Sequence, residues 1–305
     1  MSHTPIPPPR TSGFTRTTPV PLYWARWGNR AAPKLLVLHG GPGAHHDYLL
    51  PQMLALSDEY EMVFYDQRGG GKSRTHGQEP ITWRTHVEDL ALVAPELITG
   101  PLTLVGYSWG GLLTMLYAVT AHREANAVRW PHVSRMLLID PASVTEEYRK
   151  ASEVTFAERG ETEWVRAGRT ELAASGLRER DPGAYRQRSF ALSVAGYFKD
   201  PQMARGLTPF RVTSRVRRST WESLGDLDLR QGLRELQVPS LVVHGREDPI
   251  PLASSEDIAT ALGARLVVLD DCGHVPYVER PAPLFAAMRS FLKDLPDEPR
   301  SSRGA

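Results

Sequence analysis

Six short runs of near-continuous apolar residues punctuate the chain: LLVLH (35–39), MVFYD (62–66), LTLVG (102–106), RMLLID (135–140), SLVVHG (240–245) and RLVVLD (265–270). Their lack of alternation marks strands covered on both faces, as in a parallel sheet. Helical patterns fill the intervals at 47–58, 82–98, 109–122, 254–262 and 281–294. The last opens with RPAP, and proline suits a first helical turn. Ahead of them, GFTRT and LYWARWG read as two hairpin strands with Pro19 and Pro21 near the turn. The alternation predicts an α/β fold: a mostly parallel central sheet, flanked by helices and joined by right-handed crossovers.

One connection breaks the rhythm. Between Asp140 and Ser240 no convincing core strand occurs, while EEYRKASEVTFAERG, TEWVRAGRTELAASG and AYRQRSFALSVAGYFKD carry helical patterns. A structureless loop of that length is implausible, so an inserted, mainly helical cap is expected. Ligands of open α/β sheets bind at the carboxyl ends of the strands, where this insertion leaves, so it would roof a site. The expected layout is a flexible lead-in at 1–13, a core at 14–142 and 227–296, a cap at 143–226, and a flexible tail at 297–305.

Of the 305 residues 41% are apolar, enough for a large core, and 36 Lys and Arg against 35 Asp and Glu leave a net charge of +1. No overall field recruits nucleic acid or an anionic membrane. The basic SRVRR (214–218) reads as a solvated helix face or loop. Cys272 stands alone, so no internal disulfide forms, which suits a reducing compartment. The N-terminal residues show no signal-like apolar run and no later stretch is long enough to span a bilayer. A soluble, cytoplasmic protein without membrane or nucleic-acid partners is expected.

Chemistry-bearing motifs fall at the carboxyl ends of successive predicted strands: HGGPG (39–43), DQRGGGKS (66–73), GYSWGG (106–111), Asp248 in HGREDPIP and His274 in DCGHVPYVE. With these motifs in this order the sequence resembles the α/β-hydrolase family, and within it the proline iminopeptidase-like branch, over residues 20–295. The α/β-hydrolase fold and a Ser…Asp…His chain order follow from that resemblance. A serine hydroxyl becomes a nucleophile when an imidazole takes its proton and a carboxylate fixes the imidazole's tautomer. Ser108 is then the nucleophile, His274 the base and Asp248 the orienting acid. The fold supplies oxyanion donors from the residue after the nucleophile, Trp109, and from the HGGPG loop, where Gly41 is favoured over its neighbour Gly40.

Other residues invite competing roles. Asp140 also ends a strand, at the position from which some α/β-hydrolases draw their acid, but it precedes Pro141, and Asx-Pro commonly starts a turn. Asp270 and Asp271 stand so near His274 that they finish a strand and shape its loop. His39 reads as a loop-shaping imidazole, and His45 and His46 as a helix start or a pocket border. Asp66 and Arg68 read as a structural pair or network, and Cys272 as a small buried side chain. No H-E-x-x-H, thiolate cluster or complete phosphate loop occurs, so no metal and no cofactor is implied. An epoxide hydrolase of this fold would need a carboxylate where Ser108 stands.

The resemblance implies release of an N-terminal residue, typically proline, from a small peptide. A free ammonium then calls for a carboxylate from the cap. The cap offers Glu146, Glu147, Glu153, Glu158, Glu161, Glu163, Glu171, Glu179 and Glu222, most beside arginines as on a solvated face. Characterised relatives place a glutamate shortly before an aromatic pair; here SVAGYFKD has Ala195 and Gly196 before Tyr197 and Phe198, which leaves Glu222 as the candidate. Tyr107 also stands where those peptidases have glycine. An esterase or lactonase with the same triad remains the alternative, under an aromatic cap with Trp109, Trp164, Tyr197, Phe198 and Phe210 as lining. A non-catalytic binding protein is the third reading.

Overall fold

The computed structural model describes residues 5–75, 77, 80–124 and 130–294. Eight strands form one sheet: β1 (Thr11–Phe14), β2 (Tyr23–Trp27), β3 (Lys34–Leu38), β4 (Glu61–Tyr65), β5 (Leu102–Tyr107), β6 (Val133–Ile139), β7 (Ser240–Gly245) and β8 (Arg265–Leu269). Their order is β1-β2-β4-β3-β5-β6-β7-β8, with β2 antiparallel to β1 and β4 and all other pairs parallel. Every residue of β4, β5 and β7 is buried, which is why those runs carry no polar alternation. The exception proves expensive to keep: buried Glu61 collects Arg10, Arg26 and Lys34 as partners.

Helices cover both faces. On one side α1 (Trp83–Leu97) and α2 (Trp109–Arg123) pack their apolar residues with α9 (Leu252–Leu262) against the sheet. On the other, α11 (Pro281–Asp294) packs with the turns near Leu49 and Met53. The stretch expected as one helix at 47–58 is two 3-10 turns, His46–Leu49 and Gln52–Leu56. Pro51 divides them, because it has no N–H to give and its ring collides with a preceding helical carbonyl.

Between β6 and β7 the described elements are all helical: α3 (Glu146–Gly160), α4 (Glu163–Ala174), α5 (Leu177–Arg180), α6 (Pro182–Val194), α7 (Ser214–Glu222) and α8 (Arg230–Arg234), with 3-10 turns between α6 and α7. Local chemistry sets their starts. Asp181 accepts the Ala184 N–H at 2.9 Å just ahead of Pro182, a side-chain cap followed by proline in the first turn. The short α10 (Pro276–Glu279) precedes α11.

The lead-in expected to be flexible is anchored where it is described. The Pro7 carbonyl accepts the Trp27 indole N–H at 3.0 Å, Arg10 pairs with Glu61, and β1 already begins at Thr11. Residues 1–4 of that lead-in, and the whole expected tail at 297–305, lie outside the described residues. Among the described residues no helix is long and apolar enough to cross a membrane.

Candidate active site

The turn from β5 into α2 holds Ser108 at φ 53° and ψ −119°, a left-handed conformation that L-residues adopt only under constraint. Its N–H donates to Ile139 O at 2.9 Å, and its carbonyl accepts from Gly111 and Ala142, both at 2.9 Å. The flanking glycines are needed because α2 starts hard against the sheet. A Cβ on Gly106 would lie 2.4 Å from Gly110 O, and one on Gly110 would lie 2.1 Å from Leu38 O. GYSWGG is therefore spaced by packing, with the serine left at the crest.

From Ser108 a continuous hydrogen-bonded chain runs inward. His274 Nε2 stands 2.9 Å from Ser108 Oγ, and His274 Nδ1 stands 2.7 Å from Asp248 Oδ2. The other Asp248 oxygen accepts the Ile250 N–H at 2.7 Å, fixing the carboxylate plane. With Nδ1–H donating to the carboxylate, Nε2 is free to accept the serine proton. Both Asp248 and His274 are buried, so desolvation pushes the carboxyl up and the imidazole down from their ordinary values. The imidazole is neutral at neutral pH.

The backbone of His274 is held from two sides: its N–H donates to Tyr197 O and its carbonyl accepts the Tyr107 hydroxyl, each at 2.7 Å. Buried Glu279 adds support by accepting the N–H groups of Gly273 at 2.9 Å and Lys199 at 2.7 Å, which ties the histidine loop to the helical connection. The sequence reading missed both the Tyr107 hydroxyl and Glu279. The one available signal was a glutamate five residues past the histidine, on the short helix that follows it.

Asp140 is fully buried beside this chain and left-handed at φ 41°. Its Oδ1 accepts the Gly245 N–H at 2.7 Å, while Oδ2 has no partner. Burial, and then the charge of Asp248, push its carboxyl well above its ordinary value. It does not reach His274; Asp248 does. Neighbouring His244 is neutral, with Nδ1 beside the Ser255 hydroxyl at 2.9 Å and Nε2 beside Ile250 O at 3.1 Å. Asp140, His244 and Asp248 offer donor atoms within 4.8 Å of one another, yet all except Asp140 Oδ2 are already committed. That set does not fit a metal ion.

The remaining candidates fall into supporting positions. Gly40 and Gly41 line the cavity at Ser108, with Gly41 at φ 62°. Trp109 is the first residue of α2, where N–H groups have no acceptor within the helix, and its indole donates to Gln67 Oε1 at 2.7 Å. His39 shapes the loop, with Nδ1 2.9 Å from Gly40 O and Nε2 accepting the Gln67 N–H at 3.1 Å. Asp66 and Arg68 are not paired with each other: Asp66 binds His46 and the Lys72 N–H, and Arg68 binds Asp89. Cys272 is buried, and burial pushes its thiol up.

A cavity of about 600 Å³ opens over Ser108 and His274. Its walls include Arg149, Ser152, Glu153 and Phe156, spaced i, i+3, i+4 and i+7 along one face of α3, a stripe legible in the sequence but not used. Tyr197 and Phe210 line it as expected, but Phe198 is packed into the core, and Trp164 and Glu222 lie off its walls. Glu222 is exposed on α7, so the ammonium-binding candidate there is corrected. In SRVRR, Arg217 and Arg218 are exposed on α7, as on a solvated helix face, and both also line the cavity. A larger cleft of about 1260 Å³ shares Phe210 and Val212 with this cavity but contains neither Ser108 nor His274.

Comparison with known proteins agrees with the geometry. A model of the alpha/beta hydrolase family matches residues 35–287. The proline iminopeptidase of Lactobacillus helveticus (strain DPC 4571) is 25% identical, over 88% of this chain and 93% of the relative. The crystal structure of the enol-lactonase from Burkholderia xenovorans LB400 superposes with a TM-score of 0.63 at 24% identity, covering 92% of this chain and 100% of that one. That of the proline iminopeptidase of Mycobacterium smegmatis gives 0.62 at 23% identity, covering 93% and 98%. The family match spans Ser108, Asp248 and His274 together, and the chain belongs to the alpha/beta hydrolase family.

Proposed function

We propose that the protein is a serine hydrolase that releases an N-terminal residue, proline preferred, from short peptides through an acyl-enzyme on Ser108. The observation that carries this reading is the unbroken chain from Ser108 Oγ through His274 to Asp248, at 2.9 and 2.7 Å. Curated relatives named proline iminopeptidase, at 25% identity, support the substrate class. The helical segment 143–226 serves as a cap over a core of 14–142 and 227–296.

In the first step Ser108 Oγ attacks the carbonyl carbon while its proton passes to His274 Nε2. Asp248 stabilises the imidazolium without taking the proton. The oxyanion is held by the N–H groups of Trp109 and Gly41. The C–N bond breaks as His274 protonates the departing amine, and a water deprotonated by His274 then cleaves the ester. Glu153, on the α3 wall, takes the substrate ammonium in place of the Glu222 suggested by sequence. A second reading, hydrolysis of small esters or lactones, is favoured by the aromatic wall of Phe156, Tyr197, Phe210 and Trp221.

A substrate panel separates the two. Prolyl, alanyl and leucyl arylamides are compared with their N-acylated forms and with short nitrophenyl esters near pH 8. Peptidase action requires the free-amine prolyl compound to lead in kcat/KM, with N-acylation costing about 2–4 kcal/mol. Efficient ester turnover with every free-amine arylamide at background would replace the peptidase reading with the esterase one.

A further inference from the structure

The cavity over Ser108 is lined by three arginines and one glutamate: Arg149, Arg217, Arg218 and Glu153. Arg149 is already used, donating to Gly225 O at 2.6 Å and Leu227 O at 3.3 Å. Among the described residues no hydrogen bond or ion pair engages the side chains of Glu153, Arg217 or Arg218. The cavity therefore presents one unspent carboxylate on α3 and two unspent guanidinium groups on α7. Arg217 is close enough to Tyr197 that its charge acts on the buried phenol. The Tyr197 ring in turn lies 5.9 Å from that of His274, centroid to centroid. The positive charge thus shares the cavity with Ser108 and His274, on the wall carried by the Trp221 helix.

We propose that the cavity is built for a zwitterion: a free dipeptide or tripeptide whose C-terminal carboxylate is bound by Arg217 and Arg218 while its ammonium meets Glu153. This rests on the aminopeptidase reading above and narrows it to short peptides with an unmodified C-terminus. Guanidinium groups bind carboxylates through paired, charge-assisted hydrogen bonds, and Arg217 and Arg218 both line the cavity into which the substrate's C-terminus would extend. Such a site also sets length. Each added residue carries the carboxylate about 3.5 Å further from the scissile bond, so long peptides lose the contact. An ammonium-binding site alone would leave the arginines without a role, whereas their positive charge disfavours cationic leaving groups and favours a carboxylate.

The test compares Pro-Ala with Pro-Ala-amide, and Pro-Ala-Ala with a Pro-initiated hexapeptide, in the wild type and in Arg217→Gln, Arg218→Gln and the double variant. The wild type should prefer the free dipeptide over its amide by at least 10-fold in kcat/KM, mostly through KM. The preference should shrink in each single variant and fall to about 1 in the double variant. Raising salt should erode it in the wild type too, because the arginines are exposed. Equal turnover of dipeptide and amide by the wild type overturns the carboxylate site and leaves the aminopeptidase reading intact. So does a preference that survives the double substitution, which would place carboxylate recognition elsewhere. Absence of turnover for every prolyl compound, with esters hydrolysed, overturns both readings.

Discussion

The Tyr107 hydroxyl donates to the backbone carbonyl of His274 at 2.7 Å, and the two rings lie 5.3 Å apart. The residue just before the serine thus fixes the peptide that carries the imidazole. Tyr107→Phe keeps the ring and removes the donor, leaving a buried carbonyl unpaired at a cost of about 1–3 kcal/mol. Thermal unfolding should shift down by several degrees, and kcat should fall roughly 10-fold with KM little changed, since the lost contact positions the base. An unchanged kcat would show that Gly273, Tyr197 and Glu279 suffice to hold His274.

The two buried aspartates should separate cleanly. Asp248→Asn takes the acceptor from His274 Nδ1–H and should lower kcat by about 10⁴-fold. The imidazole rests on Asp248 and not on Asp140, and Asp140→Asn is an isosteric change that keeps an oxygen for the Gly245 N–H, so kcat should stay within about 5-fold of wild type. Kinetics with the severities reversed would move the acid to β6.

Glycine 40 and glycine 41 should differ although both line the site. A Cβ on Gly40 would meet Ser108 Cβ at 2.8 Å, Tyr48 Oη at 2.9 Å and Tyr107 O at 3.0 Å, so alanine there must displace the nucleophile. Activity should fall more than 100-fold, as expected from misplacing a reacting atom by about 1 Å. At Gly41 the nearest atom is 3.5 Å away, and only the φ of 62° is strained, at about 1–2 kcal/mol. Gly41→Ala keeps its N–H and should retain activity within roughly 10-fold. Assays of both variants against unfolding midpoints check the ordering.

Acid should weaken the fold before carboxylates titrate. Burial lowers His39 and His244 to about 4 and His86 to about 3, from 6.5 in an unfolded chain. Below pH 6.5 the unfolded chain takes up protons that these folded imidazoles refuse. Their contribution is therefore complete above pH 6.5 and is lost as pH falls toward 4, on the order of 1–3 kcal/mol for each group. Urea midpoints should drop steadily between pH 7 and pH 5; a flat profile would mean these imidazoles titrate normally. The same desolvation acts on His274, so the acid limb of kcat/KM should have its midpoint below 6.5.

Much of this was legible in the chain. All six core strands appear where the apolar runs stood; β4, β5 and β7 are buried along their whole length and leave no polar positions to blur them, while the edge strand β8 is only partly covered. The helix at Glu146–Gly160 matches its pattern residue for residue, and His274 stands within hydrogen-bond distance of both Ser108 and Asp248. Single-sequence reasoning failed where a side chain's direction mattered. Nothing in SRVRR tells which arginines turn toward a cavity, and Asp140 and Asp248 both end strands. What tells them apart is which oxygen meets the imidazole. Phe198 and Tyr197 are adjacent, yet one packs in the core and the other lines the cavity.

The central claim is that Ser108 becomes acylated, and intact-mass measurement after treatment with a fluorophosphonate tests it most directly. One adduct should form per chain, map to the peptide containing Ser108, and abolish hydrolysis in proportion to labelling. Ser108→Ala should remain folded, take up no label and lose nearly all turnover of whichever substrate the panel identifies. Turnover by Ser108→Ala close to that of the wild type, or a stoichiometric adduct on another residue, would contradict it.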